Sequence, residues 1–201
     1  MVVAVVLPLY LLLKHMGILT AEHIPADTIE AVLFAEFAAA AGLIAMGAVL
    51  GKLKVHQYII MGALVVPFYM FNEWMVTEGA LGVTKGFVDV AGSVGIHAFG
   101  AYFGLALTMV ITSKKQRETA VTSDTTSDRF SMLGSMILWV FWPSFCSAIV
   151  APEEIAKTAV NTILSLCGAT LMTYLASALF RKGKVAIADI ANASLAGGVA
   201  I

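Results

Sequence analysis

Apolar residues run along this chain in blocks of about twenty, separated by short polar connectors. The blocks cover positions 2–19, 28–50, 57–75, 88–112, 130–150, 158–180 and 186–201. About twenty apolar residues make one helix across roughly 30 Å of hydrocarbon. In lipid every backbone N–H and C=O must be satisfied internally, and a helix does that within one segment. Barrel strands would alternate in polarity over about ten residues, and the sequence shows no such alternation. The pattern predicts an all-α fold: a polytopic transmembrane helix bundle with about six spans and a partial seventh. The whole of 1–201 reads as one transmembrane domain, with the last block reaching the end of the sequence before a full span is complete.

The connectors add direction. Those at 51–56, 113–129 and 181–184 carry Lys52, Lys54, Lys114, Lys115, Arg117, Arg129, Arg181, Lys182 and Lys184. The ones between them are acidic or mixed, with Glu22 and Asp27, then Glu78 and Lys85, then Glu153, Glu154 and Lys157. Basic connectors favour the cytoplasm, so the alternation predicts an integral, multi-pass protein with those three inside. Segment 113–129 is rich in Ser, Thr and charge and reads as a solvated cytoplasmic loop. The first block has no basic stretch before it and no A-x-A site after it, and Lys14 and His15 interrupt it. It reads as a membrane helix rather than a signal peptide.

Composition agrees with this class. Of 201 residues, 60% are hydrophobic and 12% charged, and mean hydropathy is +0.91. Soluble domains are about a quarter charged. A formal net charge of −1 with no basic patch gives no reason to expect nucleic acid. Cys146 and Cys167 lie in apolar blocks and read as buried free thiols rather than a disulfide. Soluble-enzyme motifs are absent from the sequence, so it predicts no catalytic residues, no metal site and no cofactor. Asn192-Ala-Ser194 matches a glycosylation pattern but follows a basic connector, which makes the match accidental.

The informative residues are the polar ones inside apolar blocks. An ionisable group at membrane depth is costly and is a functional-site hypothesis by default. Asp89 reads as a helix N-cap or as an attractor for cations at an outer mouth. His97 lies eight positions later, within roughly 80° of Asp89 around an ideal helix. It is either a packing histidine satisfied by a carbonyl or a pore-lining imidazole, which can donate and accept at once. Glu73 stands beside Trp74 as an interfacial anchor or a mouth residue. Glu30 and Glu36 lie in the second block, and Trp139, Trp142 and Phe145 in the fifth, as an interfacial belt or as the wall of a mouth. Pro143 should bend or end its helix. GAYFG at 100–104, with other small-residue clusters, argues for closely packed helices.

Four stretches together resemble a known family. DVAGS (89–93) followed by IHAFGAYFGL (96–105) is similar to the fifth-helix signature of Rhesus (Rh) glycoproteins, a branch of the ammonium transporter (Amt/Rh) superfamily. GAVLGK (47–52), LWVFWPSFCSA (138–148) and IANASLAGGVA (190–200) agree in order and spacing. The resemblance runs from about Ile24 to the end of the sequence. It implies part of an inverted-repeat transporter fold. It also implies passage of ammonium or ammonia through a hydrophobic, histidine-lined pore, a homotrimer when full length, and the plasma membrane. On this resemblance His97 is a pore-liner and Phe37 and Phe145 gate the outer mouth. Asp89 is a structurally required aspartate, and Glu73 belongs to the outer vestibule.

The sequence also departs from the family. Family chains are about twice as long, and their second pore histidine lies on a late helix with no counterpart here. Cys146 stands where Rh proteins usually carry asparagine. These departures imply a partial sequence, the other reading being a shortened protein that assembles differently. The functional alternatives are a non-conducting structural membrane subunit of the same fold and, remotely, a seven-helix receptor or an intramembrane enzyme.

Overall fold

The computed structural model describes residues 1–20, 25, 27–82, 84, 87–119, 122 and 124–201. Glu22 and Lys85, two of the connector charges, and Ile24, where the resemblance begins, lie outside the described residues. The described residues are helical, with no strand among them. They form two compact units, Met1–Ala120 and Val121–Ile201, each described by itself.

The first unit contains α1 (Val2–His15), α2 (Ile29–Ala48), α3 (Val55–Asn72) and α4 (Phe99–Ile111), with a short α5 (Lys114–Glu118). Two π-helical segments adjoin these: π1 (Glu73–Thr77) continues α3, and π2 (Ser93–Ala98) leads into α4. The second helix starts where Thr28 accepts a hydrogen bond from the Ala31 N–H, with Glu30 in the first turn facing the positive end of the dipole. It is the hub of the unit, packing on α1, α3, α4 and π2. Its contact with α4 depends on small residues. A Cβ on Gly100 would lie 2.8 Å from the Ala41 carbonyl oxygen, and one on Gly104 would lie 2.9 Å from the Ala48 Cβ. Thr108 donates to the Ala48 carbonyl at 3.3 Å across the same seam. This is the close approach that GAYFG predicted.

The second unit contains α6 (Thr125–Cys146), a 3₁₀ turn (Pro152–Glu154), α7 (Ile155–Phe180) and α8 (Ile187–Val199), and its three helices pack mutually. Gly197 faces α7, where a Cβ would come 2.5 Å from the Ser165 carbonyl oxygen, and Gly198 faces the Trp142 indole of α6. Buried hydroxyls add polar contacts. Ser135 donates to the Ala191 carbonyl at 2.8 Å and meets Ser194 at 3.1 Å. Ser194 of the glycosylation-like tripeptide is therefore buried, while Asn192 is exposed and donates to the Ala188 carbonyl at 2.8 Å. At one end, Arg181 grips Asp189 through two nitrogens at 2.7 and 3.0 Å while Ser177 donates to the same carboxylate at 2.6 Å. The bond to Asp189 raises the Arg181 guanidinium above its already high value. Both cysteines are free; Cys146 is buried and Cys167 half-buried.

Among the described residues, four stretches are long and apolar enough to cross a membrane: Ile29–Ala48, Val55–Thr77, Ser93–Ile111 and Pro152–Phe180, of 20, 23, 19 and 29 residues. Val2–His15 and Ile187–Val199 are shorter apolar helices. Three boundaries differ from expectation. Block 88–112 becomes helical only at Ser93, because Asp89 caps the segment from four residues upstream. Segment 113–129, expected as loop, holds α5, nucleated by a Ser113–Gln116 capping box, and the start of α6, capped by Asp124. Pro143 lies inside α6, which continues three residues past it to Cys146.

Candidate functional site

The residues around His97 are built by one reversal of the chain. Gly92 sits at φ +63°, a left-handed conformation natural to glycine, and a Cβ there would collide with the Ile96 side chain. From that turn π2 begins. Asp89 serves as its acceptor: Oδ1 receives the Ser93 hydroxyl at 2.8 Å, and Oδ2 receives the Val94 and Gly95 N–H groups at 3.1 and 2.7 Å. The carboxylate thus meets the free N–H groups at the positive end of the helix. These are the contacts of a helix cap.

His97 is tied to the same turn. The Gly92 carbonyl accepts from the Ile96 N–H at 2.9 Å and from the His97 N–H at 2.8 Å, the latter an i to i−5 bond of the π type. His97 Nδ1 lies 3.0 Å from that same oxygen. A carbonyl can only accept, so Nδ1 carries the hydrogen. In the neutral ring the lone pair is then on Nε2. The ring is half-buried. Asn72, the last residue of α3, donates to the Gly95 carbonyl at 2.9 Å and locks α3 to π2.

The gate candidates fall in different units. Phe37 is buried on α2, 6% exposed, with its ring edge-on to Phe34 at 5.9 Å. Its helix packs directly on π2, the segment of His97. Phe145 is half-buried near the end of α6, against Trp142 at 5.6 Å. Glu36, beside Phe37 in sequence, is exposed.

Glu73 is not at the surface. It is 5% exposed at the start of π1. Its Oε2 accepts the Tyr10 hydroxyl at 2.7 Å and pairs with Lys14 Nζ at 3.0 Å. The same Nζ lies 2.8 Å from Glu78 Oε1. Sequence reasoning treated Lys14 only as an interruption of the first block. A signal was available: a lysine in an apolar block requires a counter-ion, and the charge alternation puts the ends of the first and third blocks on one side. An aromatic chain continues inward from this cluster, from Tyr10 to Tyr69, Phe99 and Phe103, with centroids 6.2, 5.6 and 5.8 Å apart. Among the described residues there is no cluster of His, Cys, Asp and Glu able to hold a metal.

Comparison with known proteins extends the picture. A family model described as the Ammonium Transporter Family matches residues 11–201. Ammonium transporter Rh type B of Xenopus tropicalis is 42% identical over 180 residues, covering 86% of this chain and 37% of that protein. Ammonium transporter Rh type A of Rattus norvegicus is 43% identical over 177 residues, covering 86% and 38%. Among solved structures, Rh50 of Nitrosomonas europaea, described with the Rhesus protein family of channels, superposes with a TM-score of 0.95 at 58% identity. That alignment covers all of this chain and 52% of the other. The chain thus spans well under half the length of these curated relatives. With the apolar helices, these matches make it an integral membrane protein with an Rh channel fold, and the chain belongs to the ammonium transporter family.

Proposed function

We propose that this chain contributes one wall of a transmembrane path for ammonium or ammonia, with His97 as a pore-lining residue. The observation that carries the reading is the fixed tautomer of His97. With Nδ1–H donated to the Gly92 carbonyl, the lone pair of a neutral ring is on Nε2, and an acceptor nitrogen is what an N–H of ammonia requires. The apolar, aromatic surroundings from Tyr69 to Phe103 favour a neutral cargo over a charged one. Phe37 and Phe145 serve as gates on the outer side. Asp89 is structural, since it holds the π2 start that orients His97. Glu73 belongs to the outer end as part of a cluster in which two carboxylates, Glu73 and Glu78, face the single Lys14 ammonium, and the net negative charge of that cluster attracts cations. The protein acts as a homotrimer in the plasma membrane.

Proteoliposomes bearing the full gene product test this by ammonia and methylammonium flux. Wild type should carry flux well above empty vesicles. His97→Ala should lower it at least tenfold with trimer yield unchanged. Flux that survives His97→Ala removes the role given to His97. No flux in wild type leaves the non-conducting structural subunit as the reading.

A further inference from the structure

Lys14 is the one ionised group on α1 that is buried against two carboxylates. Its side chain is 9% exposed and that of Glu73 is 6% exposed. Nζ meets Glu73 Oε2 at 3.0 Å and Glu78 Oε1 at 2.8 Å. It donates to Thr20 Oγ1 at 3.4 Å and sits 5.7 Å from the centre of the Tyr10 ring. Tyr10 in turn donates to the Glu73 oxygen that Lys14 holds. Carboxylates, a hydroxyl and an aromatic face are the groups that recognise a primary ammonium ion. A lysine side chain ends in a tethered alkylammonium, chemically close to methylammonium. The cargo proposed above would be recognised by the same groups.

Conduction requires a cation to bind well enough to enter and weakly enough to leave. Without Lys14 the Glu73 carboxylate would keep the Tyr10 hydroxyl but have no cationic partner, and in a low dielectric it would attract a monovalent cation strongly. We propose that Lys14 is a specificity-determining residue: its ammonium group occupies Glu73 and so keeps that carboxylate from trapping the ammonium ion that arrives at the outer end of the path. The inference rests on the ammonium reading for the identity of the cation. It goes beyond that reading in giving α1 a part in setting apparent affinity.

The test is a methylammonium concentration series on the full gene product in proteoliposomes. Lys14→Met keeps the stem and removes the charge. It should lower the half-saturating concentration several-fold and lower the maximal flux with it, and Lys14→Arg should restore the wild-type half-saturation. A lysine that only supports the scaffold would reduce maximal flux at unchanged half-saturation, and that result overturns the proposal, as does a raised half-saturation. If Lys14→Met does not fold, Lys14→Gln replaces it. A second measurement needs no flux at all: the thermal midpoint of purified Lys14→Gln should be several degrees higher in ammonium chloride than in sodium chloride, with no such difference in wild type. Equal midpoints in the two salts overturn the proposal. An ammonium-specific shift in a protein whose wild type shows no flux would count against the transport reading alone.

Discussion

Single side chains carry most of the chemistry in this chain, and Asp89 shows how a structural duty can be separated from a ligand-binding one. It accepts three hydrogen bonds at the start of π2. Replacing a capping acceptor costs about 0.5–2 kcal/mol, and stranding further buried donors adds to that. We therefore expect Asp89→Ala to destabilise the protein by about 2–3 kcal/mol, and Asp89→Asn, which keeps an acceptor, by about 1 kcal/mol or less. Thermal unfolding in detergent measures both, and a cation-attracting role alone would make the two variants equally stable. Glu73→Gln should cost about 1–3 kcal/mol by the same measurement, because Lys14 loses one of its two carboxylates but keeps Glu78. Asp89 and His97 were legible in the sequence because ionisable residues stand out in apolar blocks. What His97 bonds to was not, since the Gly92 carbonyl is aimed at the ring only by the left-handed turn. The pairing of Lys14 with Glu73 was hidden for another reason: the partners lie on helices brought together by α1–α3 packing, and no local pattern records it.

At the level of elements, the apolar blocks found the helices well and their ends less well. Length and hydropathy report where a segment can sit in lipid. Where the backbone starts to coil depends on caps such as Thr28, Ser113, Asp124 and Asp89. The two π segments left no trace in periodicity, since each holds little more than one turn. They shift the phase of the helices they join, so the angle between Asp89 and His97 on an ideal helix does not apply to residues held by the same turn. The α2–α4 seam, by contrast, was readable from GAYFG. Overpacking such a contact costs about 1–3 kcal/mol. Gly100→Ala, whose Cβ would lie 2.8 Å from the Ala41 carbonyl oxygen, should destabilise by that amount in a thermal unfolding assay. Gly134→Ala, with open space around the added Cβ, should be neutral or slightly stabilising.

For the whole molecule, the fold class was set by composition and block length, and the family by four short motifs. The chain spans 52% of the Rh50 structure it superposes on, so the assembled pore is a property to be tested on the full gene product. Native mass spectrometry of that product should give three copies per particle. A cysteine placed at Lys182 should react with an impermeant maleimide only from the cytoplasmic face, as the basic connectors predict. The buried contact among Tyr10, Lys14 and Glu73 also bears on biosynthesis. Tyr10 and Glu73 are separated by 63 residues. At about 5–20 residues per second, α1 waits several seconds for its partner carboxylate to be made. During that interval Lys14 is an unpaired charge on a 14-residue helix, which the bilayer accepts poorly. We therefore expect the first helix to settle fully into the membrane only once the third has been made.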